Sequence, residues 1–196
     1  MLDAVLQRSH GKKFDKTPRE FPRVFRTAGR ERVALKAPML NVFLYAPQSF
    51  HNLCLMARTL EAFGHRECSI FDPHQIVRDR YGKMRSREMR AVSAGAFEKI
   101  RWLRQDDPGR FLSDYDGRVV TTVLAPGAIP LTEHEFASTD LLVFGSETRG
   151  LPDEVVALGD VGLTIPLVGE TQSLNLAVAL GIVLFEGQRQ LRLLPR

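Results

Sequence analysis

Two stretches in the last third of the chain carry groups suited to holding a small polar ligand. The first is Gly145-Ser146-Glu147-Thr148-Arg149-Gly150-Leu151-Pro152, and the second is Ile165-Pro166 followed by Ser173-Leu174-Asn175. Gly145 ends an apolar run at a point where a side chain would block close approach by a ligand. Gly150 permits a left-handed turn before Pro152 opens a helix. Glu147, between the two glycines, has two readings: a carboxylate serving a site, or one that caps a helix or bonds loop amides. Ser173 reads as the N-cap of the helix beyond, and Asn175 bonds backbone or solvent, or faces a ligand. The first turn of that helix offers unpaired N–H groups and positive potential, which suit a carboxylate, a ribose hydroxyl or a phosphate.

A third candidate element lies upstream, at Asn52 and Arg58. Six residues apart on one helix, they differ by about 600°, or about 240° modulo a turn, so an ideal helix does not place them on one face. With Asn52 in the cap or the preceding loop, both still reach the same strand-end region. Alone, Arg58 also reads as a surface ion-pair partner of Glu61 or Glu147. Other chemistries lose support. The sequence has no Gly-x-Gly-x-x-Gly after a strand, no Walker loop, and no His-Glu-x-x-His or paired Cys-x-x-Cys, so no metal site is expected.

The elements that must position these residues alternate. Leu40–Ala46 is a continuous apolar run between Pro38 and Pro47 and reads as a buried strand. Ser49 or Asn52 caps the next helix, which sets Leu53, Met56, Ala57 and Leu60 on one face and stops at Gly64. Cys68–Phe71, Arg118–Leu124, Leu141–Phe144 and Gly162–Ile165 read as four more strands. Residues 74–93 give a weak helical signal, and Phe97–Leu112 is mixed, with Trp102 and Leu103 as expected core contacts. A short helix is expected at Asp153–Leu158 and a long one from Ser173 to about Leu193. This alternation predicts an α/β fold, a mostly parallel sheet with helices on both faces. The loops after Leu124, Phe144 and Ile165 all leave strand carboxyl ends, where such sheets bind ligands.

The 196 residues suit one domain plus an arm. Residues 1–38 hold ten Lys/Arg against four Asp/Glu, a net of +6, whereas the remainder holds 17 against 19. The boundaries expected are therefore a basic N-terminal arm over 1–38 and a compact domain over 39–196. A positive segment attracts polyanions by counterion release, although a solvated tail that aids solubility fits the same composition. Met1–Ser9 lacks the apolar core of a signal peptide, and Cys54 and Cys68 form no ligand spacing, so a reduced, cytoplasmic location is expected. The longest apolar stretch, Leu176–Phe185, is too short to cross a bilayer. A helix so apolar all round must be buried on most sides, and a subunit interface would take its surplus face.

Asn52-Leu53-Cys54-Leu55-Met56-Ala57-Arg58, Gly145 to Leu151, and Ile165-Pro166 with Ser173 to Leu176 resemble, in order and separation, the three motifs of the SpoU (TrmH-like) RNA ribose methyltransferases of the SPOUT superfamily. The resemblance covers about residues 40–190. It departs at Cys54, where that family usually has glycine, a change expected to reshape the RNA path or shift Arg58. The resemblance implies a carboxy-terminal trefoil knot whose loops bind S-adenosylmethionine, with Val123, Gly145, Glu147, Gly150, Ile165, Leu167, Ser173 and Leu174 at the cofactor. It implies catalytic roles for Arg58, Asn52, Glu147, Ser173 and Asn175, and a homodimer through the knot and terminal helix. The implied substrate is RNA, tRNA ahead of ribosomal RNA, with the Arg78–Arg90 cluster and the arm on its backbone. The alternative is a knotted RNA-binding protein without catalysis, for which Cys54 is the motive.

Overall fold

A computed structural model describes residues 25–27, 39–78, 82–83 and 85–195. Its centre is one eight-stranded sheet in which every pairing is parallel, in the order β1-β4-β3-β2-β7-β5-β8-β6. The strands are β1 (Phe25–Thr27), β2 (Asn41–Tyr45), β3 (Glu67–Phe71), β4 (Arg101–Arg104), β5 (Val119–Thr122), β6 (Ile129–Pro130), β7 (Leu141–Phe144) and β8 (Val161–Thr164). The five strands expected from sequence are all present. Three more join them: β1 and β4 at one edge and β6 at the other. β1 falls inside the segment read as an arm and pairs with β4; the rest of residues 1–38 lies outside the described residues.

Side chains alternate between two cores, as a pleated sheet covered on both faces requires. Val42 and Leu44 of β2 and Leu142 and Phe144 of β7 face the larger core. There α1 (Phe50–Ala62) and α5 (Leu176–Gln190) pack, with α2 (Ser86–Ser93) and a 3-10 turn at Ala96–Lys99 beside α1. Phe43, Leu141 and Val143 face the other way, into a smaller core with Leu112 of α3 (Pro108–Ser113) and Val155 of α4 (Asp153–Val156). The residues expected on the inner face of α1, Leu53, Met56, Ala57 and Leu60, are all fully buried. The mixed stretch 97–112 resolves into the 3-10 turn, β4 and the start of α3, with Trp102 fully buried and Leu103 half-buried.

Local chemistry explains most boundaries. Ser49 caps α1 by accepting from the Asn52 backbone N–H, and Gly64, at φ +82°, turns the chain away after it. Asp107 caps α3, whose first residue is Pro108. The expected cap at Ser173 is corrected: Asn175 is the N-cap of α5, its Oδ1 accepting from the Ala177 N–H at 2.9 Å. Both residue types cap well, and the segment Ile165–Leu174 stays outside the helix, which ends at Gln190. β5 ends at Thr122, two residues before the expected Leu124, so Val123 and Leu124 belong to the loop. Among the described residues, no helix is long and apolar enough to cross a membrane.

His65, just beyond the Gly64 turn, is buried, with its Nε2 unpartnered. Burial lowers its pKa from 6.5 to about 4. Folding therefore favours the neutral ring, while the unfolded chain takes a proton as pH falls through 6.5. The resulting stability is whole above pH 6.5 and lost toward pH 4, by about 2 kcal/mol at pH 5. His134, also buried, is shifted downward by burial and by Arg118 and adds in the same direction. In urea melts at pH 7.5 and pH 5, His65→Leu should lose less stability on acidification than the parent; equal losses would place the proton uptake elsewhere.

Candidate functional site

The carboxyl ends of β2, β5, β7 and β8 lie side by side, and the loops leaving them enclose a cavity of about 580 Å³. That is the size of an ordinary small-molecule site. The β7–α4 loop forms one wall. Ser146 and Gly150 exchange two backbone hydrogen bonds of 2.9 Å each, which folds residues 146–150 into a tight turn with Gly150 at φ +66°. A Cβ on Gly145 would overlap the Gly150 carbonyl carbon and the Leu151 nitrogen. Glycine is required there because the chain doubles back on itself.

Glu147 points out of this turn into the start of α1. Its Oε2 accepts from the Gln48 N–H at 2.7 Å, and its Oε1 accepts from the Ser49 N–H at 3.0 Å and from Asn52 Nδ2 at 3.1 Å. Of the two readings of Glu147, the structure has the carboxylate bonding loop amides, and those amides belong to another loop, almost a hundred residues away. Ala46, at φ +48°, supplies the bend that turns these N–H groups toward it. Thr148 adds a bond of 2.7 Å from its hydroxyl to Gln48 Oε1.

The chain of bonds continues past Asn52. Because the Glu147 carboxylate only accepts, the Asn52 amide must turn its nitrogen toward it. Asn52 Oδ1 then receives Asn175 Nδ2 at 2.9 Å, and Asn175 Oδ1 receives the Ala177 N–H. A fixed negative charge at one end and the first turn of α5 at the other set the polarity of both amides. Three segments distant in sequence are thereby joined across the cavity mouth.

Asn52, Val123, Gly145, Glu147, Gly150, Ile165, Leu167, Ser173, Leu174 and Asn175 all line the cavity. Leu124 and Leu167, 65% and 37% exposed, give its rim an apolar surface. Leu124, Thr148 and Asp153 were not singled out from sequence; only the position of the loops after β5 and β7 at strand ends pointed to them. Gln48, which meets both Glu147 and Thr148, lies outside every motif and carried no signal.

Arg58 stands apart. It lines a larger open groove of about 1140 Å³ between α1 and α5, which adjoins the cavity at Asn175. The ion pairs weighed for it do not form: Glu61 pairs with Lys99 and Arg66, and Glu147 is taken up as described. Arg58 is exposed and has no partner among the described residues. The groove floor is apolar, with Leu55, Val178, Ile182 and Phe185 between 38% and 51% exposed. Cys54, expected to disturb the RNA side, is instead fully buried in the core, and burial together with Glu88 pushes its thiol up to about 11. It is therefore an inert packing residue. Of the Arg78–Arg90 cluster, Arg85 lies beside the start of α1, its guanidinium 5.0 Å over the Phe50 ring, and Arg90 pairs with Glu98 of the 3-10 turn. No cluster of metal-binding side chains occurs among the described residues.

The arrangement matches known proteins along its length. The family model of the SpoU rRNA methylases fits residues 39–185. The chain is 31% identical over 159 residues to the tRNA (guanosine(18)-2′-O)-methyltransferase of Thermus thermophilus, a match that spans 79% of this chain and 77% of that protein. It superposes on the TrmH/SpoU tRNA modifying enzyme of A. aeolicus with a TM-score of 0.69 and 26% identity, covering 80% and 77% of the two chains. With an AdoMet-bound rRNA methyltransferase of Sinorhizobium meliloti the TM-score is 0.68 at 29% identity, over 80% of this chain and 57% of that one. Family model, relatives and fold agree that this chain belongs to the SpoU rRNA methylase family.

Proposed function

We propose that this chain is an S-adenosylmethionine-dependent methyltransferase acting in the cytoplasm on a ribose 2′-hydroxyl of RNA, with tRNA as substrate class. The observation that carries the reading is the hydrogen-bonded chain Glu147–Asn52–Asn175, which joins all three motif segments at the mouth of one cavity. The relatives named for tRNA favour that substrate, and the likeness to an rRNA methyltransferase keeps ribosomal RNA as the second reading. The binding-module alternative loses its motive, since Cys54 is buried away from the site.

The cavity suits the cofactor by volume, by its apolar rim at Leu124 and Leu167, and by the exposed backbone of the turn at Gly145–Gly150. Val123, Gly145, Gly150, Ile165, Leu167, Ser173 and Leu174 would hold it. When bound, S-adenosylmethionine supplies an electrophilic methyl group on a sulfonium. The protein's part is mostly positioning, because methyl displacement depends on in-line approach. Glu147 orders the cofactor loop against α1. Asn52 and Asn175 orient the ribose, and Ser173 lines the reaction centre. Arg58 clamps the adjacent phosphate and stabilises the forming alkoxide, while phosphate or water takes the proton.

We infer a trefoil knot from the connectivity around β8. β5 and β6 flank β8, with Thr122 and Ile129 both level with Leu163. The connector between them crosses one face of β8 at Gly162, where a Cβ would meet Val123 at 3.2 Å and Ala128 at 3.7 Å. The chain leaving β8 thus emerges beside a closed loop. A second copy of the chain suits the apolar groove, since α5 buries Leu180, Val183 and Leu184 but leaves Val178, Ile182 and Phe185 open. Residues 1–38 and the basic flank of α2 would hold the RNA backbone.

Arg58→Ala should abolish methyl transfer and leave cofactor affinity by calorimetry within a few-fold; lost cofactor binding would contradict its RNA-side role. Gly145→Ala should weaken cofactor binding at least tenfold, since backbone must move to admit the methyl; unchanged affinity would remove the turn from the site. Deleting residues 1–24, which spares β1, should weaken tRNA binding and flatten its salt dependence, given the +3 charge of that segment. An unchanged slope would make the arm a bystander.

A further inference from the structure

Gln48 is exposed in the loop between β2 and α1, bonded to two residues that line the cavity, Glu147 and Thr148. Its backbone N–H is held by Glu147 and its side-chain oxygen by the Thr148 hydroxyl. The Thr148 hydroxyl donates to Gln48 Oε1 at 2.7 Å, so the amide has its oxygen inward and its nitrogen outward. Among the described residues that nitrogen has no partner.

The same orientation recurs along the mouth of the cavity. Asn52 gives one N–H to Glu147 and has its oxygen filled by Asn175; Asn175 gives one N–H to Asn52 and has its oxygen filled by Ala177. Each nitrogen carries two hydrogens, so each Asn keeps one and Gln48 keeps both. This edge, which meets the Arg58 groove at Asn175, offers donors to a substrate, while each amide oxygen and the Glu147 carboxylate already hold protein donors. Such an edge fits sugar and phosphate oxygens.

We propose, building on the function given above, that Gln48 is a further substrate-contacting residue whose Nε2 donates to a phosphodiester oxygen of the RNA. The bond between Thr148 and Gln48 fixes which end of the amide the RNA meets. The cofactor turn, which carries Thr148, thus also sets the polarity of an RNA contact.

The test compares Gln48→Glu, Gln48→Met and Thr148→Val with the wild-type chain, using tRNA from a strain lacking the gene. Gln48→Glu keeps the acceptor for Thr148 but turns the outward donor into an acceptor and adds a negative charge, so Gln48→Met, which is neutral, reads the loss of the donor alone. In both Gln48 variants the KM for tRNA should rise about tenfold or more, as for loss of a hydrogen bond to a charged group. The kcat, S-adenosylmethionine affinity by calorimetry and melting temperature should stay at wild-type values. Gln48→Met should leave the salt slope of tRNA binding unchanged, because a neutral donor displaces no counterion. Thr148→Val frees the amide without removing its donors, so its KM should rise only a few-fold. A wild-type KM in Gln48→Glu, cofactor affinity falling alongside KM, or Thr148→Val matching Gln48→Met would each overturn the proposal, the last two by assigning Gln48 to loop bracing. A wild-type chain that neither binds S-adenosylmethionine nor methylates tRNA or ribosomal RNA would instead overturn the function itself, and this inference with it.

Discussion

The site depends on one carboxylate. Glu147 takes three donors from a loop and helix almost a hundred residues earlier in the chain, and with the Thr148–Gln48 bond beside it ties the turn after β7 to the start of α1. Its charge also does directional work. An amide beside a carboxylate has one permitted orientation, and that orientation passes from Asn52 to Asn175 and ends on the first turn of α5. A neutral glutamine in its place would have a single acceptor oxygen for three donors and would lose this directing effect.

The sheet makes the clamp reachable. Because all eight strands run the same way, every loop that follows a strand emerges at one edge, and the neighbours β2, β7, β5 and β8 bring their loops together. Helices on both faces then fix the loops at their other ends. α1 and α5 pack directly on each other, so the residues opening the two helices, Asn52 and Asn175, come within hydrogen-bond distance.

Much of this was legible in the residues. Strands buried on both faces leave apolar runs, and β2, β3, β5 and β7 were visible for that reason, while β8 buries only Leu163 fully but carries no charged residue. β4 was not, because it reads Arg-Trp-Leu-Arg and buries only Trp102 fully. β6 is two residues long and contains a proline. Helical geometry separated Asn52 from Arg58, and in the structure the first lines the cavity while the second lines the groove beside it. Ser173 and Asn175 are equally good caps in isolation; the choice between them depends on Asn52, a contact no local pattern carries. Gln48 owes its place wholly to long-range partners.

The order of the strands also governs how the chain is made. β2, β3 and β4 are neighbours in sequence and can pair as soon as they leave the ribosome, but the other edge of β2 waits for β7. Until residue 141 has been synthesised, Val42, Phe43 and Leu44 form an open, apolar strand edge with nothing alongside. Such an edge readily recruits foreign strands. That edge closes only when β7 slots into the middle of the sheet, a constraint on folding order set by building a cavity from strands so far apart.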